Sequence, residues 1–137
     1  MTSSDYLLRQ FDILGRVLGK ILAKLPGLKE QGDLAEGIQG GMQIMKDELD
    51  LDIDSLLQMP ADLVIQYLIE EKQFSEHHLE QFSEILLIAA DNSLAEAGED
   101  YRKRLYERIL AILEYLEKSG STFSLERHQL IQQLKSR

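Results

Sequence analysis

The chain has 137 residues, 44% apolar and 28% charged, with no cysteine and a formal net charge of −9. That length is expected to fold as one domain, residues 1–137, burying roughly two-thirds of the surface its unfolded chain would expose. Without cysteine there are no disulfides or thiolate metal sites, and an acidic body repels phosphate backbones, so no nucleic-acid partner is expected.

Valine and threonine occur only at Val17, Val64, Thr2 and Thr122, while leucine recurs throughout. Leucine packs well in helices and β-branched residues favour strands, so the composition predicts an all-α fold. The charge is unevenly spread. Residues 1–29 carry five bases against two acids, or +3, and the remaining ten bases against 22 acids give −12.

The first predicted helix runs from Asp5 to Leu25. Leu7, Phe11, Leu14, Leu18, Ile21 and Leu25 recur at steps of four and three, which lines one helical face. Arg9, Arg16, Lys20 and Lys24 form a basic stripe beside it. The stripe admits a membrane-surface or partner-binding helix, but its apolar width is that of a helix facing its own core, which is the reading adopted. Asp12, Arg16 and Lys20 interrupt the apolar runs, so neither a secretory leader nor a membrane span is expected, and the expected location is cytoplasmic.

Pro26-Gly27 and Gln31-Gly32 predict a connection, because proline breaks the hydrogen-bond ladder and glycine accepts the left-handed conformation. Asp33, with Glu36 three residues on, predicts a capping box opening a helix over 34–49. Its apolar face is Leu34, Ile38, Met42, Met45 and Leu49. Gly37, Gly40 and Gly41 beside that face predict a close backbone crossing against Gly15 and Gly19.

Asp50, Asp52 and Asp54 lead into a short helix over 55–58. They mimic the start of a calcium loop, but Ser55 and Ala61 stand where that loop needs glycine and glutamate, so the acids are read as favouring a helix N-terminus. Pro60 is expected to open the next helix, with Leu63, Val64, Tyr67 and Leu68 inward. Ser75 is expected to cap a helix running to Ala97 and stopping at Gly98, with Leu79, Phe82, Leu86, Ala89 or Ala90, and Leu94 in the core. A helix over 100–118 should bury Leu105, Ile109, Ile112, Leu113 and Leu116. Ser124 should cap the last, with Ile131 and Leu134 inward.

Gly32-Asp33-Leu34 and Gly98-Glu99-Asp100-Tyr101 each resemble the inter-helix turn of a tetratricopeptide repeat, and they lie 66 positions apart, near twice that repeat's period of roughly 34 residues. The opening Ser4-Asp5-Tyr6-Leu7-Leu8-Arg9-Gln10 resembles the start of a family of uncharacterised bacterial tetratricopeptide-like helical proteins of about this length. The resemblance implies a right-handed array of antiparallel helical hairpins, about seven helices in all. It implies no activity and no catalytic residue.

Sites of chemistry are sparse. His77 and His78 point about 100° apart on a helix and cannot ligate one ion together, so they are read as a solvated first turn. No Gly-x-Ser-x-Gly elbow occurs, and Gly15-x-x-x-Gly19-Lys20 follows helical sequence rather than a strand. No enzyme activity, metal or cofactor is expected. Arg102-Lys103-Arg104 with Arg108, flanked by Tyr101 and Tyr106, admits two readings. One is a docking site for an acidic tail or a phosphate, with Arg102, Arg104, Arg108 and Tyr106 as its contacts. The other is a set of ion pairs with the acids of the preceding helix. The function expected is a non-enzymatic interaction module for an unidentified protein or peptide. A self-associating helical protein is the alternative, and a metal- or small-ligand-binding bundle a further one.

Overall fold

The structure, a computed structural model, describes residues 3–92, 98–120 and 123–136, with side chains from residue 9 onward. The described residues form seven helices and no strand: α1 (Ser3–Gln31), α2 (Leu34–Leu49), α3 (Ile53–Gln58), α4 (Ala61–Gln66, continuing as a π-helical turn, Tyr67–Glu71), α5 (Glu76–Asp91), α6 (Gly98–Ser119) and α7 (Leu125–Lys135). The expected all-α class holds.

The apolar stripe of α1 is core from Leu14 onward, with Leu14, Val17, Leu18, Ile21 and Leu25 all buried; Phe11 is 47% exposed, contrary to expectation, and the side chain of Leu7 lies outside the described residues. The expected break at Pro26 does not occur, and α1 continues through it to Gln31. Pro26 is exposed, so water can satisfy the carbonyl its ring leaves unpaired, while Leu25 and Leu28 on either side stay packed. The true stop is Gly32, at φ +80. There Asp33 N–H donates to the Leu28 carbonyl at 2.8 Å and Gly32 N–H to the Lys29 carbonyl at 3.2 Å. These two bonds satisfy the last carbonyls of α1 and turn the chain back, which needs a residue at ease in the left-handed region.

Asp33 does cap α2 by position, but its side chain accepts no hydrogen bond, so the expected capping box is absent. The expected glycine-to-glycine crossing is also absent. A Cβ at Gly41 would meet Ile21 Cγ2 at 3.0 Å and one at Gly37 would overlap Leu28 Cδ1, whereas Gly15 faces His78 and Gly19 faces Gln81. The order of these contacts makes α1–α2 an antiparallel hairpin and sends α1 and α5 in the same direction. Gly15, Gly19, Gly37 and Gly41 thus each admit a side chain from a neighbouring helix rather than another backbone.

Asp50 ends α2 in the left-handed region at φ 52, and the Lys72 ammonium bonds the Leu49 carbonyl at 3.2 Å and lies 3.7 Å from Asp50. A cation at a helix C-terminus offsets the negative end of its dipole. Asp52 caps α3 by accepting from the Asp54 N–H at 3.2 Å and the Ser55 hydroxyl at 3.0 Å, as expected of an acidic connection. In α4, Val64 and Leu68 are buried, but Leu63 is 49% exposed, contrary to expectation.

Ser75 caps α5 as expected. That helix ends at Asp91, and Gly98 opens α6 at φ +84 instead of closing α5; Leu94 lies outside the described residues. Leu79, Phe82, Leu86, Ala89 and Ala90 are buried, as are the five expected α6 residues and Ile131 and Leu134 of α7. α5 and α6 are antiparallel: the Tyr106 hydroxyl donates to Asp91 at the end of α5, and Gly120 beyond α6 approaches Glu76 at its start. α7 returns along α6 through His128–Glu117 (3.2 Å) and Lys135–Glu114 (3.8 Å), and reaches α5 through Arg127–Glu80 (3.3 Å).

The glycines of α2 separate cleanly by environment. Gly40 has nothing within 4 Å of where a Cβ would stand, so Gly40→Ala should raise stability by about 0.5–1 kcal/mol through helix propensity. Gly41→Leu should instead drive side-chain atoms into Ile21 and cost about 1–3 kcal/mol. Urea unfolding of the two variants checks the opposite signs.

Candidate functional site

Three places combine polar chemistry with burial, and they divide into two that hold the fold and one that is open.

The first is the start of α5. The Ser75 N–H donates to His78 Nδ1 at 3.1 Å, and the His78 N–H donates to Ser75 Oγ at 3.3 Å, so the two residues cap each other. With Nδ1 accepting, the neutral ring carries its proton on Nε2. That atom is buried against Gly15 near the Phe11 carbonyl, without a hydrogen bond of good geometry among the described residues. The Phe11 ring lies 4.6 Å and the Phe74 ring 5.9 Å from the imidazole, centroid to centroid. His78 is therefore fully buried, and the expectation of a solvated first turn holds only for His77. The reversal comes from the capping role, which turns the ring inward between α1 and α5. No group of three or more potential metal ligands occurs among the described residues.

Burial, and secondarily the adjacent His77, hold the His78 imidazole below its ordinary 6.5, against the opposing pull of the Phe11 carbonyl. A depressed histidine is neutral in the fold and protonates more readily when unfolded, so stability is lost as pH falls below 6.5. We expect wild-type stability to fall as the pH drops from 6.5 towards 5, through the extra proton that the unfolded chain takes up at this residue. His78→Gln, which can keep the capping box, should flatten that fall. Denaturant titrations at several pH values test this.

The second place is the expected arginine patch, which the structure splits. Spacing of four puts Arg104 with Arg108 on one side of α6 and Arg102 with Tyr106 on the other. Arg108 is buried, not a surface contact: its guanidinium donates to the Leu57 carbonyl at 3.1 Å and to the Met59 carbonyl, and pairs with Glu107 at 3.2 Å. It ties α6 to the corner between α3 and α4, where a helix end leaves carbonyls without partners. Arg104 and Arg102 stay nearer solvent, paired within their own helix to Asp100 (3.1 Å) and Glu99 (3.9 Å). Tyr106 is engaged with Asp91 at 2.6 Å. Arg102 and Arg104 thus each pair with an acid of α6 itself. Arg108→Met should cost about 2–3 kcal/mol because two carbonyls lose a charged donor, whereas Arg104→Ala should cost under about 0.5 kcal/mol. The urea midpoints of the two variants give the comparison.

The third place is a half-open groove of about 790 Å³ between α2, the start of α3, the end of α5 and the start of α6. Its floor is apolar, formed by Ile38, Met42, Ile53 and Ala89. Glu36 and Asp54 are exposed at its edge, with Asp52 beside them and, among the described residues, Lys46 as the one cation lining it. Neither the Glu36 nor the Asp54 carboxylate has a hydrogen-bond or ion-pair partner among the described side chains. The Tyr101 phenol stands close enough to feel Asp54. Burial first, and that carboxylate second, raise it above its ordinary 10.0. The arrangement offers apolar contact and negative charge together, with no nucleophile and base in hydrogen-bond reach of each other among the described residues. Sequence reasoning missed it as a site because Ile38 and Met42 read as core and Asp54 as a helix-start acid. Only the tertiary pairing leaves them facing a gap.

The chain matches no protein-family model, no characterised protein and no solved structure. Among the described residues no helix is long and apolar enough to cross a membrane.

Proposed function

We propose that the protein is a non-enzymatic interaction module that binds a segment of a protein partner in the α2–α3–α5–α6 groove. The observation that carries this reading is the groove itself, whose apolar floor and unpaired carboxylates suit a segment bearing apolar side chains beside cations. The helical organisation supports it: two antiparallel hairpins, α1–α2 and α5–α6, have first helices that run the same way, as in tetratricopeptide-like arrays that present a groove to peptides. Arg102 and Arg104 are secondary candidates, because each already has an acid on its own helix.

The test is affinity capture from host lysate with two folded variants, matched to wild type by circular dichroism. Ile38→Lys/Met42→Lys should abolish capture of the partner, and Arg102→Glu/Arg104→Glu should leave it intact. The reverse pattern would move the binding surface to the exterior of α6 and remove the groove from the mechanism.

A further inference from the structure

The side of α1 away from the core carries a ridge that the domain itself does not use. At 100° per residue, Arg9, Ile13, Arg16, Lys20 and Lys24 fall within about 80° of one another, along roughly 22 Å of helix. All five are exposed, and Ile13 is 42% exposed although surrounded by cations. None of the four bases has an ion-pair partner among the described side chains. An apolar side chain set within a row of unpaired cations is the chemical complement of the groove, where unpaired Glu36 and Asp54 rim an apolar floor. The charge imbalance of the chain, +3 over residues 1–29 against −12 over the rest, concentrates these opposite signs on separate elements.

We infer that the groove's occupant is the α1 ridge of a second copy of this chain. This rests on the groove being a binding site, and it names the partner. Ile13 of one copy sits over Ile38 and Met42 of the next, with Lys20 or Arg16 against Glu36 and Asp54. The contact is heterologous, joining two different surfaces, so it closes into a ring or reciprocal dimer if the rotation allows and otherwise extends. Its electrostatic share makes it sensitive to salt, because the screening length drops from about 10 Å at 0.1 M to about 3 Å at 1 M.

Sedimentation equilibrium of the full chain tests the inference. At about 0.1 M salt the weight-average mass should rise with concentration to at least twice that of the monomer, and about 1 M salt should return it towards the monomer. Lys20→Glu/Lys24→Glu and Glu36→Lys/Asp54→Lys, each checked for native circular dichroism, should be monomeric alone. Mixed in equal amounts they should associate again, since the reversed ridge now meets the reversed groove. A wild-type chain that stays monomeric at 0.1 M salt overturns the inference, as does association that neither reversal weakens or a mixture that fails to recover. The groove reading survives those failures if Ile38→Lys/Met42→Lys still abolishes lysate capture, and falls with them if it does not.

Discussion

Much of this fold hangs on the mutual cap between Ser75 and His78. A helix N-terminus leaves four N–H groups without partners, and here one residue pair satisfies a donor in each direction while delivering an aromatic ring into the core. The ring fills the space that the missing side chain of Gly15 leaves on α1, and it meets Phe11 at a tilt and Phe74 edge-on. A capping interaction, ordinarily a local matter worth about 1 kcal/mol, therefore also sets how α1 and α5 seat against each other. Since α5 is buried at His78, Leu79, Phe82, Leu86, Ala89 and Ala90, its position governs that of α6 on its other side.

A second constraint works from the middle of α6. The α3–α4 corner has to end one short helix and begin another within a few residues, and Arg108 takes up the carbonyls this exposes. An arginine suits the role because its fork reaches two acceptors at once and keeps its charge when buried. Lys72 does the analogous work at the end of α2. The cations of the acidic body are thus largely committed to carbonyls and to acids on their own or adjoining helices. Those of α1 are not.

Helix identity was legible in the sequence wherever the apolar period was strong and the cap chemistry simple. The α6 residues Leu105, Ile109, Ile112, Leu113 and Leu116 are buried as their spacing predicts, and Ser75 and Ser124 cap where serine should. The misreadings have a common physical source. Pro26, Asp33 and Gly98 were read from local propensity, and in each case packing or turn geometry decided otherwise. Leu25 and Leu28 hold α1 together across the proline, the Asp33 N–H that a capping-box Glu36 would reach is already given to the Leu28 carbonyl, and Gly98 starts a helix instead of ending one. His78 and Arg108 were read from their charge as surface groups. His78 Nδ1 and the terminal nitrogens of Arg108 found partners inside, something spacing alone does not reveal.

The same reasoning locates where binding is physically reasonable. A polar group already satisfied inside the fold has little to offer a partner, since any new contact must replace an existing bond of similar worth. That argument removes Arg108 and weakens the claim of Arg104 and Tyr106, the residues whose clustering in sequence first suggested a site. It points instead to groups the fold leaves without partners: Glu36 and Asp54 around the groove, and the basic ridge of α1. Both also border exposed or half-buried apolar side chains, at Ile38, Met42 and Ile13. Removing such apolar surface from water adds a driving force that surface charge alone, screened and solvated, does not provide.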